Sequence, residues 1–355
     1  MAKHAPESLL VVRLGAMGDV IHTLAAVTAL RSHRPEMRIG WLIEERWAEL
    51  LCARNAPRQG DRSPQRPVAD FVHTTDTRRW RKSLFSRKTY DEIGGVLREI
   101  RAQRYDAAAD FQGALKSAFF ARASKAEAIL GFQRPREGPA RLFYGLTVSG
   151  EGTHVIEQYF SLGEAIAGSK LPHSAPGLPR DEHAELSTEG MLSSIGNSFV
   201  LLNPGAGWGA KQWPAERYGQ LSLALSRCGY KPVINFGPGE EEIAAKVREA
   251  SGGVAQPLAC SISELIALIR RARLFIGGDT GPMHLAAALR VPVAALFGPT
   301  DPARNGPYGT RSIVLRHAAS KTSLSHTSAL DPGLLNISAD EVIAAARELL
   351  ESASV

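Results

Sequence analysis

Residues 8–14, with Leu9-Leu-Val-Val12 at their centre, make an apolar run that ends abruptly in a glycine turn, Gly15-Ala-Met-Gly18-Asp19. Residues 20–31 then carry apolar side chains at the three-and-four spacing of a helix. A strand apolar along its whole length is covered on both faces, and one that feeds a glycine turn and a helix belongs to a parallel α/β sheet. The pattern recurs. Residues 38–43, 105–111 and 128–132 read as further strands, and the Arg-, Gln- and Pro-rich stretch 53–67 reads as a flexible surface loop. Around residues 170–180 the composition turns to Pro, Gly, Ser and His (LPHSAPGLPR), which is linker chemistry. A second series follows, with strands at 199–202, 231–236, 274–276 and 291–297 and helices at 215–227, 240–250, 261–273 and 281–289. Such alternation implies parallel sheets with right-handed crossovers. The expected architecture is two Rossmann-like α/β domains facing across a cleft, over residues 1–175 and 176–335. A last helix at 339–351, opened by the capping-box spacing Ser338-Ala-Asp-Glu341, falls in the segment 336–355.

Composition narrows the function classes. The chain has 355 residues, 44% hydrophobic and 22% charged, a globular profile long enough for two cores. No apolar run approaches the roughly 18 residues that span a bilayer. The first apolar stretch is short, contains Arg13 and runs into a glycine turn, unlike a secretory signal. Three scattered cysteines suggest neither a disulfide framework nor a thiolate metal site. A cytoplasmic protein is expected. The net charge of +6 points to anionic partners but is modest for a nucleic-acid protein.

Ligands of open α/β sheets bind at the carboxyl ends of strands, so the loops there carry the chemistry. Asp19, at the first glycine turn, is placed either as a general base or as a cap of the helix that follows. A strand ending in Gly277-Gly-Asp279, followed by Thr280-Gly281 and one turn later His284, offers free amides and a helix dipole to a diphosphate. Asn203-Pro-Gly-Ala-Gly207 leads to Lys211, a glycine-rich backbone with a point charge but without the Walker A order. Glu240 either accepts from ribose hydroxyls or favours its own helix dipole. Arg78-Arg-Trp-Arg81-Lys82 is a basic cluster suited to carboxylates and phosphates, or a solvated face.

These segments together resemble the ADP-heptose:lipopolysaccharide heptosyltransferases, glycosyltransferase family 9, and most closely the heptosyltransferase I branch. The likeness rests on GAMGDVIHTLAAVTAL (15–30), RRWRK (78–82), YDAAADFQGALKSA (105–118), REGPARLFYG (136–145), AKQWP (210–214), and GGDTGPMHLAAAL with FGPTDP (277–289 and 297–302). It implies a GT-B fold with Asp19 as catalytic base. It also implies ADP-heptose bound near Gly18, Gly207, Lys211, Glu240, Ser261, Asp279, Thr280, Gly281 and His284. Lys211 and the Thr280-Gly281 helix start would hold the diphosphate, Glu240 the ribose, and backbone near Ser261 the adenine. Ala206 and Gly207 stand where similar enzymes have paired threonines. Arg78, Arg79, Arg81, Lys116, Arg136 and His154 match positions beside a Kdo-bearing lipid A acceptor. The resemblance further implies no metal or other cofactor, no nucleic-acid partner and peripheral contact with the cytoplasmic face of an inner membrane. It also implies a last helix that crosses back onto the first domain. Competing assignments are a relative with another acceptor, such as heptosyltransferase II, a nucleotide-sugar epimerase of the same fold, and a non-catalytic binding module.

Overall fold

The computed structural model describes residues 6–83, 85–207, 209–323 and 330–351. The chain divides into two compact units, Met1–Asp181 and Glu182–Val355. In the first, the strands are β1 (Ser8–Val12), β2 (Arg38–Glu44), β3 (Phe71–Thr75), β4 (Ala107–Asp110), β5 (Ala128–Phe132) and β6 (Leu146–Val148). The helices are α1 (Met17–His33), α2 (Thr77–Lys82), α3 (Arg87–Ala102), α4 (Leu115–Ala123) and α5 (Val155–Ala167). The sheet is parallel with strand order β3-β2-β1-β4-β5-β6. Every residue of β1 and β4 is buried, as a strand covered by helices on both faces must be.

The second unit holds α6 (Glu182–Leu192), β7 (Phe199–Asn203), α7 (Ala215–Arg227), β8 (Lys231–Phe236), α8 (Glu241–Ala250), β9 (Gln256–Ala259) and α9 (Ile262–Arg271). It continues with β10 (Leu274–Gly278), α10 (Gly281–Ala288), β11 (Val293–Leu296), α11 (Pro302–Asn305), β12 (Ser312–Leu315), α12 (Pro332–Asn336) and α13 (Ala339–Glu351). Its parallel sheet runs β12-β11-β10-β7-β8-β9. Counted from its own first strand, that is the strand order of the first unit. Each unit is thus a Rossmann-like fold with one switch point, between β1 and β4 in the first and between β7 and β10 in the second. The order reverses there, and the loops leaving the strands diverge to open a crevice.

Three expectations change. The segment 171–181 belongs to the first unit rather than bridging from residue 176, because it is fastened there. Gly177 N–H donates to Thr28 Oγ1 (2.9 Å), Arg180 N–H to Pro64 O (2.8 Å), and Leu171 and Leu178 are buried. The stretch 53–67 is irregular but pinned: Arg66 is 2% exposed and its guanidinium donates to backbone carbonyls of Gly60, Asp61 and Ala69. The last helix takes a place in the second unit instead of on the first. Val342, Ala346, Leu349 and Leu350 of α13 join Leu221 and Leu225 of α7 and Leu296 of β11 in one core. Its apolar stripe is what covers that side of the second sheet. Among the described residues no helix is long and apolar enough to cross a membrane.

Candidate active site

In the first unit, functional side chains gather at the β1–β4 switch point. The helix α1 starts earlier than the periodicity predicts: Ala16, in extended conformation, is its N-cap and accepts from Val20 N–H (2.9 Å). Gly18 and Asp19 therefore lie inside the first helical turn, Gly18 buried. Asp19 is not the cap. Its carboxylate turns back to Arg13, Oδ2 to Nη2 2.6 Å, and stays about a third exposed while Arg13 is buried. Arg13 also donates to Phe111 O (2.7 Å) and lies over the Tyr159 ring at 5.3 Å. Burial works against its charge, but Asp19, Tyr159 and Asp110 more than offset that, and the guanidinium pKa is raised. An arginine in an otherwise apolar strand run was the one sequence signal for this pair, since a buried charge demands a partner.

The loop after β4 is built on Asp110, which is fully buried. Its carboxylate accepts from Gln112 N (2.9 Å), Gly113 N (3.0 Å), Ser117 Oγ (2.9 Å) and Tyr144 Oη (2.7 Å). Burial raises its pKa despite these donors. Gln112 in turn accepts from Leu14 N–H (3.0 Å), tying the two loops together. Gly113 has φ +66°, and a Cβ there would meet the Arg136 backbone nitrogen at 2.9 Å, so this close approach requires glycine. Leu115 N–H donates to Glu137 (2.8 Å). These bonds set Arg136 beside Lys116.

Lys116 donates to Thr77 Oγ1 (3.2 Å) and lies 3.9 Å from buried Glu44. Burial pulls its pKa down; Glu44 opposes this, while the charges of Arg81, Arg46 and Arg136 add to the depression. Arg78 in turn acts on Arg46. The structure therefore assembles Arg78, Arg81, Lys116 and Arg136, with Arg46 added, into one positive cluster. Arg79 differs: it pairs with Glu92 (2.6 Å) and Asp76 (3.3 Å) at the foot of α2. His154 is buried and caps α5, its Nδ1 accepting from Ile156 N–H (3.2 Å). Arg46 and Trp47, from the 3-10 segment Glu45–Leu50 after β2, had no motif to announce them.

In the second unit the β7–β10 switch point brings together Lys211, Asp279 and His284. Lys211 Nζ donates to Asp279 Oδ2 at 2.6 Å and to its carbonyl at 3.2 Å, and His284 Nε2 lies 3.1 Å from Oδ1. Burial favours the neutral carboxyl, yet His284 and Lys211 together hold Asp279 well below the usual carboxylate range. Thr280 is the N-cap of α10 and Gly281 its first residue, so their amides have no carbonyl within the helix to serve. Glu240 precedes α8, accepts from Gly237 N–H (2.8 Å) and lies so close to Gly205 that any Cβ there would collide with its carboxylate. The Glu240 carboxylate is thereby placed against the 203–207 loop. Gly207 is exposed in that loop, and a Cβ on it would meet nothing. Ser261 uses its hydroxyl to cap α9, accepting from Glu264 N–H (3.2 Å).

One half-site therefore presents a part-exposed carboxylate beside an array of cations. The other presents a half-buried ammonium and helix amides suited to a leaving diphosphate. Known proteins resemble this chain along most of its length. A family model described as glycosyltransferase family 9 (heptosyltransferase) matches residues 93–332. The lipopolysaccharide heptosyltransferase 1 of Pseudomonas aeruginosa is 29% identical over 313 residues, covering 86% of this chain and 83% of the relative. The structure of an Escherichia coli heptosyltransferase with ADP superposes with a TM-score of 0.76 at 26% identity, over 96% of this chain and 99% of that one. A family 9 glycosyltransferase from Veillonella parvula gives 0.81 at 25% identity, over 99% of both chains.

Proposed function

The chain belongs to glycosyltransferase family 9 (heptosyltransferase) and is a glycosyltransferase, and on that footing we propose that it transfers L-glycero-D-manno-heptose from ADP-heptose to Kdo of the lipopolysaccharide inner core. The observation that carries this is the pairing of chemistries at the two switch points: Asp19 held by Arg13, and Lys211 held by Asp279. The ADP in the E. coli heptosyltransferase and the name of the Pseudomonas relative support the choice of donor and acceptor class.

In this scheme Asp19 takes the proton of a Kdo hydroxyl while that oxygen attacks the anomeric carbon of heptose. The bond from that carbon to the diphosphate oxygen breaks, and configuration inverts. Lys211 and the amides of Thr280 and Gly281 stabilise the charge gathering on the departing ADP. Glu240 accepts from the ribose, and backbone near Ser261 borders the adenine. Arg78, Arg81, Lys116 and Arg136 receive the anionic acceptor at the cytoplasmic face of the inner membrane. The leaving group is served by side chains and amides rather than a divalent ion, so turnover should survive a chelator; loss of activity in EDTA overturns that assignment.

The test is mass-spectrometric detection of heptose added to Kdo-lipid A, with ADP-heptose set against UDP- and GDP-sugars. Asp19→Asn should bind ADP-heptose almost normally and turn over about 10²–10⁴-fold more slowly. Near-normal turnover by that variant removes Asp19 as base. Transfer to an already heptosylated core, and none to Kdo-lipid A, moves the protein to another acceptor class.

A further inference from the structure

The segment Glu45–Leu50 leaves β2, the neighbour of β1, and packs beside the start of α1. Its Trp47 presses on the glycine turn that leads to Asp19: a Cβ on Gly15 would meet Trp47 Nε1 at 2.9 Å. That indole N–H is buried and finds no acceptor among the described residues. On the indole face lies Arg46, its guanidinium carbon 4.6 Å from the ring centre. The stack costs Arg46 rotamer freedom before any ligand arrives, so less is lost when one binds.

The electrostatics around Arg46 are unbalanced. Arg13, Arg58 and Arg79 each have a carboxylate within ion-pair distance, whereas Arg46 has none among the described residues. Glu44 and Asp76 favour its charge, but Glu44 accepts from Thr77 and neighbours Lys116, and Asp76 is already bonded to Arg79. Partial burial disfavours the Arg46 charge most, and Arg78 adds repulsion. An exposed, pre-positioned guanidinium with spare positive potential and a planar fork matches a carboxylate.

We propose that Arg46, held on Trp47 at the Gly15–Asp19 turn, is an acceptor subsite that grips the carboxylate of an acidic sugar. This rests on the acceptor reading above and deepens it. A two-point grip on the carboxylate of the attacking sugar would orient its ring relative to Asp19. Trp47 is the platform and a positioning residue; Arg46 makes the contact.

The experiment uses the full chain, the Kdo-bearing acceptor, and the same acceptor with its sugar carboxylate converted to a primary amide. Arg46→Gln should raise the acceptor KM about 10–100-fold, the worth of a hydrogen-bonded charge pair, with ADP affinity unchanged. The amide acceptor should cost the unaltered protein a similar factor and cost Arg46→Gln almost nothing more. Trp47→Leu should reproduce Arg46→Gln, and Trp47→Phe should keep most of the affinity because a ring face remains. Independent, multiplying losses from variant and amide overturn the subsite, as does an unchanged KM. So does a dephosphorylated acceptor that, unlike the amide, removes the difference between Arg46→Gln and the unaltered protein. If the unaltered protein transfers nothing to either acceptor while binding ADP, the reading of the reaction fails and the subsite fails with it.

Discussion

Asp19 shows how little a residue's identity says until its neighbours are known. An aspartate at a helix start is an N-cap in many chains, but here the cap position is taken by Ala16 and the carboxylate is turned to a buried arginine. Arg13 fixes where that carboxylate points. Arg13→Met should lower kcat about 100-fold, because small misplacements of a reacting group are costly, with ADP affinity unchanged. Arg13→Lys should recover some of the loss; equal kcat in all three proteins denies Arg13 a positioning role. Asp279 allows a prediction in pH. Its folded pKa lies below its unfolded value, so its stabilisation is complete above the ordinary carboxylate pKa of about 3.9 and is lost as pH falls from there toward the folded pKa. Urea midpoints of the unaltered protein should therefore drop below about pH 4. Asp279→Asn should be about 3 kcal/mol weaker at neutral pH, through loss of the carboxylate that Lys211 and His284 face, and should show a flatter acid limb. Parallel acid limbs refute the assignment.

At the level of elements, strand visibility follows burial. Strands β1, β4, β7 and β10, at the centres of the sheets, are buried throughout and read directly as apolar runs. The edge strands β6, β9 and β12 are half exposed, and β9 is further interrupted by Pro257. They leave no continuous run and went unread, as did β3, where buried His73 is bonded to Glu99 (2.6 Å) and Tyr105 (2.8 Å). Helix packing gives the prediction at this scale. Gly219 of α7 meets α8 so closely that a Cβ would lie 2.6 Å from the backbone carbon of Ala250. Gly219→Ala gains helix propensity of about 1 kcal/mol but must push the packed helices α7 and α8 apart, an overpacking cost of about 1–3 kcal/mol. The urea midpoint should fall; a rise would mean that α8 gives way without cost.

On the scale of the whole molecule, each unit has its own sheet and its own core, and α13 belongs to the second. A fragment of residues 182–351 should therefore fold alone and bind ADP within about tenfold of the full chain by calorimetry. Ending it before α13 uncovers the face that Val342, Leu349 and Leu350 protect, each side chain worth about 1.5–3 kcal/mol, and should abolish cooperative unfolding. A truncated fragment that still unfolds cooperatively would show α13 to be dispensable. The sequence by itself determined the α/β class, two successive series, and where glycine-rich loops follow strands. Apolar runs, glycine turns and helical spacing are properties of neighbours along the chain, and those features depend on nothing else. Tertiary structure alone decided the strand order and the place of the last helix. It also turned Asp19 onto Arg13, separated Arg79 from its cluster and brought Arg46 into it. Those outcomes depend on which distant segments lie side by side, and a buried charge takes its role from the partner that the fold delivers to it.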